Sequence, residues 1–340
     1  MNILCQDYIK SENTSKPCLY HVERGYCSHK EHFACIEHIR RKETQISHSK
    51  LSTYKRCRRC YYYTYILGLQ RKVPQINMEV GNLFHIEMSI LHEIDTVLVK
   101  KYQNDSIDYR TDLVKKYRNI ETSEVNLPKE LRNIDTMIEV YPTLNMKKPK
   151  ALAERWASAA INDIHILAKL DLQIENENRE TEIIYDWKWS GNPDFYTHFT
   201  TRHQAAMYFL LKEKAQSITF RCFRKPALKY KHKETEDQYY HRVKEDINDR
   251  PKYYINDKTF YRSEYDLDEL LDEITFFCNE ILENIEHGIK AFPQEDSGCW
   301  AYSSWCDYLP ICQSKVISDT LYEKKSVGEI DVKKEDENIL

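Results

Sequence analysis

Two β-strand patterns that follow one another closely constrain the fold of this chain more than any other feature. They are AKLDLQIE (168–175) and EIIYDWKW (182–189), with the polar segment ENENRET between them. Because strand side chains alternate between two faces, Asp171 lies opposite the hydrophobic residues of its strand. Asp186 and Lys188 are two residues apart and share a face. The pattern predicts adjacent strands that bring two carboxylates and a lysine together.

Helical and strand patterns alternate around this pair. Apolar spacings of three, four and seven predict two long helices, over 78–100 and 267–289. A short helix over 204–212 and a strand over 217–223 follow the carboxylates. The order of elements indicates a mixed α/β domain.

The carboxylates are a candidate metal site. Two carboxylates held within a few ångströms repel each other unless a cation neutralises them. Oxygen ligands suit Mg²⁺ or Mn²⁺, and such a metal polarises a phosphodiester and lowers the pKa of a bound water, which the lysine would orient. The alternative is a cross-strand salt bridge on a solvated face, a common reason for an Asp-x-Lys tripeptide.

Five short motifs follow one another between residues 49 and 312: Thr53-Tyr54-x-x-Cys57, Gly81-x-x-x-His85, Asp171, Asp186-x-Lys188 and Gln204-x-x-x-Tyr208. In this order they resemble the PD-(D/E)XK nuclease superfamily, in particular its RecB-like exonuclease branch, found in phages and among CRISPR-associated prespacer nucleases. Two positions depart from the branch's pattern. Arg58 replaces a proline, and Ala168 stands where a glycine is common.

The resemblance implies a restriction-endonuclease-like core, in which helices flank a mixed sheet and to which further helices are added. It implies a metal held by His85, Asp171, Asp186 and the backbone carbonyl of Trp187. It also implies three catalytic residues beside the metal ligands: Lys188 for the attacking water, and Gln204 and Tyr208 to support the lysine and the scissile phosphate. Without the resemblance, a lone histidine such as His85 on an amphipathic helix is more often structural.

Eleven cysteines in a chain whose N-terminus lacks a secretory signal favour metal ligation over disulfides. Cys299, Cys306 and Cys312 form C-x6-C-x5-C. Some members of the nuclease branch hold a 4Fe-4S cluster with three such cysteines and one N-terminal cysteine, which implies Cys57 as the fourth ligand. Cys60 is a competing ligand, zinc is a competing metal, and unrelated buried thiols are the remaining alternative.

The N-terminal segment carries a second candidate metal site. Its ligands have the spacing C-x8-C-x7-C-x2-H, which matches a Cys3His zinc finger in the first gap and differs in the later two: Cys18, Cys27, Cys35 and His38. His29 and His32 are nearby substitutes. A 46-residue segment with few apolar residues needs a metal to fold, so we predict a structural zinc.

The net charge of −4 gives no global sign of nucleic-acid binding, so any basic surface must be local. Two basic patches are predicted to contact phosphates: Arg56, Arg58 and Arg59 in one, and Arg224 and Lys225, with neighbouring basic residues, in the other. A solvated face is the alternative for both. The tyrosines at 61–65 are interpreted as core residues rather than as stacking platforms for bases.

We therefore expect three regions: a zinc-binding module (1–46), a nuclease domain closed by a cysteine cluster (47–315) and a disordered charged tail (316–340). The predicted function is a metal-dependent DNA exonuclease of a phage or mobile element. It would act on single- or double-stranded ends in recombination, repair or end processing, with recombination or replication proteins as candidate partners. The alternatives are a nucleic-acid-binding adaptor with an inactive nuclease fold, or a prespacer-trimming nuclease. Since no apolar run is long enough to span a bilayer, we expect no membrane contact and a cytoplasmic location, in the host cell if phage-encoded.

Overall fold

The computed structural model describes residues 20–21, 26–27, 45–73, 75–117, 126–161, 164–178, 180–197, 202–301 and 304–324. The strands are β1 (Tyr20–His21), β2 (Tyr26–Cys27), β3 (Gln45–Ile46), β4 (Leu69–Arg71), β5 (Leu152–Ile161), β6 (Ile164–Glu175), β7 (Thr181–Ser190), β8 (Ser217–Arg224), β9 (Ile255–Tyr261), β10 (Trp300–Ala301), β11 (Ser304–Trp305) and β12 (Tyr322–Lys324). The helices are α1 (His48–Arg56), α2 (Arg58–Tyr61), α3 (Ile76–His92), α4 (Thr96–Tyr117), α5 (Leu127–Val140), α6 (Arg202–Leu211), α7 (Glu236–Asp249), α8 (Pro251–Tyr254), α9 (Leu267–His287) and α10 (Leu309–Ser314).

The chain divides into two compact units. The first unit comprises Met1–Val73, Ser158–Ala168 and Asp268–Leu340, and the second comprises Pro74–Ala157 and Lys169–Leu267. Strand β6 therefore begins in the first unit and ends in the second.

The second unit is built on a mixed sheet. Strand β6 pairs antiparallel with β7, β7 pairs parallel with β8, β8 pairs antiparallel with β9, and β5 also pairs with β6. The two strands predicted from the sequence are confirmed, as parts of β6 and β7. Side chains of α3, α5 and α7 pack with sheet residues in one hydrophobic core, which includes Phe84, Met137, Trp187, Phe223 and Val243. The chain thus has the mixed α/β architecture, with helices flanking a mixed sheet, that the sequence predicts.

The single long helix predicted over 78–100 is wrong, because the structure has two. Helix α3 ends at His92 and α4 begins at Thr96. The carboxylate of Glu93 accepts hydrogen bonds from the backbone N–H groups of Ile94 and Asp95, at 2.9 Å each. These bonds satisfy donors that a continuous helix would bond to carbonyl groups, so the helix stops there.

A buried arginine ties β8 to β9 inside the second unit. Arg221 is 2% exposed and lies directly opposite Asp257 in the strand register. Its guanidinium group bonds both carboxylate oxygens of Asp257, at 2.7 and 2.6 Å, and also the Tyr141 hydroxyl at 2.7 Å and the Lys147 carbonyl at 2.6 Å. All of its partners would lose a bond together if the side chain were removed.

We expect Arg221→Ala to lower the free energy of unfolding by about 2–4 kcal/mol, since the buried Tyr141 hydroxyl and the Lys147 carbonyl lose their donor, although Asp257 can turn to water because its side chain is 35% exposed. Denaturant unfolding of the full chain measures this. Arg250→Ala is the matched control, because Arg250 also pairs with an aspartate, Asp246, but is 49% exposed. The control should cost less than about 1 kcal/mol. Equal losses in the two variants would contradict the prediction.

The first unit has its own core, made largely of tyrosines. Tyr54, Tyr61, Tyr62 and Tyr63 are at most 2% exposed and pack with Phe292. Tyr61 stacks on the Phe292 ring at a centroid distance of 6.4 Å, and Tyr54 meets Tyr61 edge-to-face at 5.2 Å. These contacts agree with the interpretation of the tyrosine run as core rather than as a surface for bases.

Both ends of the described chain add short strands to the first unit. Strand β3 pairs parallel with the first residues of β6, and β12 pairs antiparallel with β4. Tyr322 is 3% exposed. Folded structure therefore continues to Lys324, inside the segment predicted as a disordered tail, because Tyr322 supplies a core side chain; residues 325–340 lie outside the described residues.

The predicted zinc ligands fall almost entirely outside the described residues. Cys18, Cys35 and His38 are among those not described, and Cys27 is described only through the pairing of β2 with β1, in which it lies opposite Tyr20. The zinc module therefore stays a prediction. No helix in the described ranges is long and apolar enough to cross a membrane.

Candidate functional site

Strands β6 and β7 place two aspartates together inside the second unit. Asp171 is 7% exposed and Asp186 is 1% exposed. The Asp171 Oδ2 atom accepts a hydrogen bond from the backbone N–H of Trp187 at 2.7 Å, which fixes its carboxylate against the neighbouring strand. The alternative, a cross-strand salt bridge on a solvated face, does not describe this arrangement, because both carboxylates are buried.

Two further side chains reach Asp171. Helix α3 presents His85, whose Nδ1 atom lies 3.2 Å from Asp171 Oδ1. Strand β5 presents Glu154, whose Oε1 atom lies 3.9 Å from the same nitrogen. One potential ligand atom from each of the three residues lies within 4.8 Å of the others. One imidazole nitrogen and two carboxylate oxygens thus converge as a metal ion would require.

Asp186 is held by two side chains of helix α6. Its Oδ2 atom accepts hydrogen bonds from Gln204 Nε2 and from the Tyr208 hydroxyl, at 2.8 Å each. These two residues are one helical turn apart on α6 and bond to each other at 2.6 Å. The Oδ1 atom of Asp186 forms an ion pair with Lys188, whose ammonium lies 5.6 Å from the centre of the Phe220 ring.

The six residues singled out in the sequence therefore lie in one cluster: His85, Asp171, Asp186, Lys188, Gln204 and Tyr208. Trp187 joins them through its backbone. Their roles remain proposals, which are taken up below.

The three carboxyl groups of the cluster have pKa values that shift in different directions. Burial acts to raise the pKa of Asp171, but the charges of His85 and Lys188 outweigh it and lower that pKa. For Asp186 and Glu154 burial prevails and the pKa is raised, with the charge of Asp171 adding to the effect. Ionising all three carboxylates is therefore costly without a further positive charge.

A divalent cation fits this donor set. Buried carboxylates whose pKa is raised by burial and by one another are stabilised by a nearby positive ion, and an oxygen-rich set with one imidazole suits Mg²⁺ or Mn²⁺. The Oε1 atom of Glu154 is buried and accepts no hydrogen bond from the residues that the structure describes, so it has capacity for a ligand.

Sequence reasoning missed Glu154. Its segment, ALAERWAS, carries no recognisable motif, and its backbone has φ of +55°. The signal that was present is a charged residue directly after two apolar ones, at the start of a strand. A single sequence does not show that such a residue turns back toward the site.

A second cluster lies in the first unit and consists of cysteines. Cys57 and Cys60 are buried, and Cys299, Cys306 and Cys312 are partly buried. Burial raises the pKa of Cys312 and of Cys299, and the charges of Cys306 and Cys57 add to both shifts. A hydrogen bond with Cys306 lowers the pKa of Cys60, against the effect of burial. The thiols of Cys57 and Cys306 are therefore near enough to act on those of Cys299 and Cys312, and Cys306 bonds Cys60, but in the described part of the chain no three of these thiols converge as His85, Glu154 and Asp171 do.

A glycine allows the cysteine loop to come close to Cys57. A side-chain carbon at Gly298 would lie 2.7 Å from the carbonyl oxygen of Arg56 and 3.0 Å from the Cβ atom of Cys57. Backbone atoms cannot yield to such a contact, so only glycine fits. The approach of residue 298 to residue 57 is thus built into the packing.

The basic residues predicted to contact DNA all make internal contacts. In the first unit Arg58 pairs with Glu280 at 2.8 Å, Arg59 bonds the Phe292 carbonyl at 2.6 Å, and Arg56 lies 3.7 Å from Cys60 Sγ. In the second unit the two predicted residues are engaged likewise: Arg224 lies over the Tyr253 ring, and Lys225 pairs with Glu130 at 2.9 Å. Phosphate binding by these residues stays a prediction and would require them to exchange these partners.

The mixed sheet carries two buried aspartates and a lysine, and a helix places a histidine beside them. This arrangement is typical of metal-dependent phosphodiesterases. The chain belongs to the PD-(D/E)XK nuclease superfamily, whose family model matches residues 45–313. Neither a curated protein nor a solved structure matches the chain significantly. Members of this superfamily are nucleases that use divalent metals, and the site of the second unit contains the acidic residues and the lysine for which the superfamily is named.

Proposed function

We propose that the chain is a divalent-metal-dependent DNA nuclease and that it acts as an exonuclease. The observation that carries the proposal is the buried cluster in which Asp171 and Asp186, on adjacent strands, face His85 and Lys188. A purely structural role does not require three carboxylates of low exposure to be gathered around one histidine and two lysines, Lys188 and Lys169. The superfamily assignment supports hydrolysis of phosphodiesters as the reaction.

Each side chain of the cluster then has a role. His85, Asp171 and Asp186, with the Trp187 carbonyl, would hold the metal, and Glu154 adds a carboxylate. When bound, a divalent cation would polarise the phosphodiester and lower the pKa of a coordinated water. Lys188 would orient the attacking water, and its ammonium would stabilise the negative charge that develops on the phosphate. Gln204 and Tyr208 keep Asp186 in place through their hydrogen bonds to Oδ2.

The preference for ends and the setting of the reaction rest on the resemblance to the RecB-like branch. We propose that the substrate is linear DNA, in recombination, repair or end processing of a phage or mobile element, with recombination or replication proteins as partners. Prespacer trimming would be an instance of the same end processing. A cytoplasmic location follows from such substrates.

Cleavage of matched DNA substrates tests the proposal. The full chain would be incubated with Mg²⁺ or Mn²⁺ and with end-labelled linear DNA, single- or double-stranded, or covalently closed circular DNA of the same sequence. We expect mononucleotides or short products from linear DNA only, and none in the presence of EDTA. Cutting of the circle would show an endonuclease, and retention of DNA without any cleavage would favour the adaptor alternative.

We also propose that the cysteine cluster of the first unit holds a 4Fe-4S cluster through Cys57, Cys299, Cys306 and Cys312. The hydrogen bond between Cys60 and Cys306 and the close approach of Gly298 to Cys57 support a metal there, and the resemblance favours iron–sulfur over zinc. Such a group would join the N-terminal and C-terminal parts of the first unit and contribute to stability rather than to the reaction.

The N-terminal segment would bind zinc through Cys18, Cys27, Cys35 and His38 and present a surface to nucleic acid or to a partner protein. Elemental analysis of anaerobically purified protein distinguishes the metals. Iron with acid-labile sulfide, together with one zinc, is expected. Zinc alone would reject the iron–sulfur cluster.

A further inference from the structure

Glu154 has a backbone conformation that is rare for its residue type. Its φ of +55° lies in the left-handed region, which residues other than glycine seldom adopt. Other non-glycine residues with positive φ in the described ranges are Lys233, in a turn, and Lys315, at the end of α10. Glu154 instead lies inside β5. A strained residue within a strand persists only when its surroundings hold it.

The residue before Glu154 is held on both sides. The backbone N–H of Ala153 donates to Glu93 Oε2 at 2.9 Å. The carbonyl of Ala153 accepts from the Tyr102 hydroxyl at 3.1 Å and from Arg155 NH1 at 3.0 Å. This carbonyl belongs to the peptide whose orientation sets φ of Glu154, so two side chains fix that peptide while Glu93 fixes the peptide before it.

Glu93 is the centre of this network. Its side chain is 0% exposed, and its Oε2 atom also lies 3.3 Å from Arg155 NH2. Its Oε1 atom bonds the N–H groups that end α3. Since α3 carries His85 two turns earlier, one carboxylate connects the end of the helix that presents His85 to the strand that presents Glu154. The two potential metal ligands are therefore held by the same group.

We propose that Glu93 is a positioning residue for the metal site. Together with Arg155 and Tyr102 it holds Glu154 in the left-handed conformation that turns its carboxylate toward His85 and Asp171. This inference rests on the proposed function, because it assigns Glu154 to the divalent cation of that site. Glu93 would not contact the cation itself. It acts through its hydrogen bond with the backbone N–H of Ala153, the residue before Glu154.

A merely structural buried ion pair between Glu93 and Arg155 would make a different prediction. Its loss would destabilise the fold but would leave the affinity of the folded protein for metal unchanged. The affinity for Mn²⁺ alone is therefore the discriminating measurement, since groups that orient metal ligands typically change affinity by about 10–100-fold when they are replaced.

The test uses the full chain and Mn²⁺ without DNA, with free Mn²⁺ measured by electron paramagnetic resonance. Glu93→Gln is expected to weaken Mn²⁺ binding by about 10–100-fold. Glu87→Gln is the matched control. Glu87 lies on α3, the helix that Glu93 follows; its side chain is 13% exposed, and its hydrogen bonds come from Arg110 and Ser106 on α4. Its variant should bind Mn²⁺ within twofold of the wild type. Wild-type affinity in Glu93→Gln, or an equal loss in the control, overturns the proposal.

Two milder variants keep the test decisive if Glu93→Gln does not fold. Tyr102→Phe removes one donor to the Ala153 carbonyl and leaves the ring, so a several-fold loss of Mn²⁺ affinity is expected. Glu154→Gly removes the carboxylate and suits the left-handed backbone, so the fold should be retained while the affinity falls as in Glu93→Gln. Unchanged affinity in both overturns the proposal. If the wild type binds Mn²⁺ with the expected dependence on Glu93 but cleaves no DNA, the proposed function fails and the positioning role stands.

Discussion

Replacement of Lys188 by methionine is expected to lower the rate of DNA cleavage by about 10²–10³-fold, the usual loss when one group that stabilises a transition-state charge is removed. The ammonium lies against Asp186, within the cluster that would hold the metal. Methionine has a similar length but no charge and no donor. The water and the developing charge would both lose their partner, whereas the ligands of the metal would remain.

Metal binding separates this loss of chemistry from a loss of structure. Removing a buried positive charge beside three carboxylates favours a cation, so Lys188→Met should bind Mn²⁺ as tightly as the wild type or more tightly. Single-turnover cleavage with saturating Mn²⁺, beside a Mn²⁺ titration, measures both quantities. Lys169→Met is the control, because Lys169 also pairs with a carboxylate of the cluster, Glu154, but is 46% exposed. Cleavage by Lys188→Met at the wild-type rate would contradict the assigned role.

Replacement of Cys57 by serine is expected to remove the iron–sulfur cluster that we propose for the first unit. A structural metal contributes its binding free energy to folding, which for zinc peptides amounts to about 10–16 kcal/mol at neutral pH. The variant should therefore lose its iron and unfold at a lower denaturant concentration than the wild type. Iron and sulfide analysis, visible absorption and denaturant unfolding of anaerobically purified protein provide the measurement.

Two other cysteines sharpen this test. Cys222→Ala is the control for loss of a buried thiol, because Cys222 is 0% exposed and lies in the second unit. It should retain the metal. Cys60→Ser should also retain it if Cys57 is the fourth ligand. If the metal is lost in Cys60→Ser and kept in Cys57→Ser, the fourth ligand is Cys60 instead. Full metal content in both variants would contradict a metal site that includes Cys57 or Cys60.

Period-two and period-3.6 patterns explain why much of the fold could be predicted. The helix from Leu267 buries one regular set of apolar side chains, so its sequence records its structure, whereas the strands over 168–175 and 182–189 bury neighbouring residues on both faces, Asp171 and Asp186 among them. The break between α3 and α4 is different. The apolar spacing continues through Ile94 and Leu98, and the helix ends because a side chain, Glu93, competes for the backbone donors.

The residues of the site likewise divide into those that the sequence pattern predicts and those that it does not. Asp171, Asp186 and Lys188 could be grouped because alternation along adjacent strands determines which side chains meet. His85, Gln204 and Tyr208 required the resemblance to the nuclease branch, since helix spacing alone does not say what a helix faces. Glu154 could not be found by either route, because its direction depends on a left-handed backbone that distant side chains impose.

Surface roles are harder to predict for a related reason. Arg221 is one of the basic residues that neighbour Arg224 in the sequence, but the structure buries it opposite Asp257. A run of arginines and lysines has the same sequence whether it contacts water, DNA or buried carboxylates. The choice among these depends on contacts between residues far apart in the chain, which one sequence does not contain.

The central claim is that the buried cluster of the second unit hydrolyses phosphodiesters with a divalent metal. Single-turnover cleavage of end-labelled linear DNA by the wild type and by Asp186→Asn, in Mg²⁺ and in EDTA, tests it most directly. The expected result is cleavage by the wild type in Mg²⁺ alone, and no cleavage by the variant although it still binds DNA. Cleavage by Asp186→Asn at the wild-type rate, or cleavage by the wild type in EDTA, would contradict the claim.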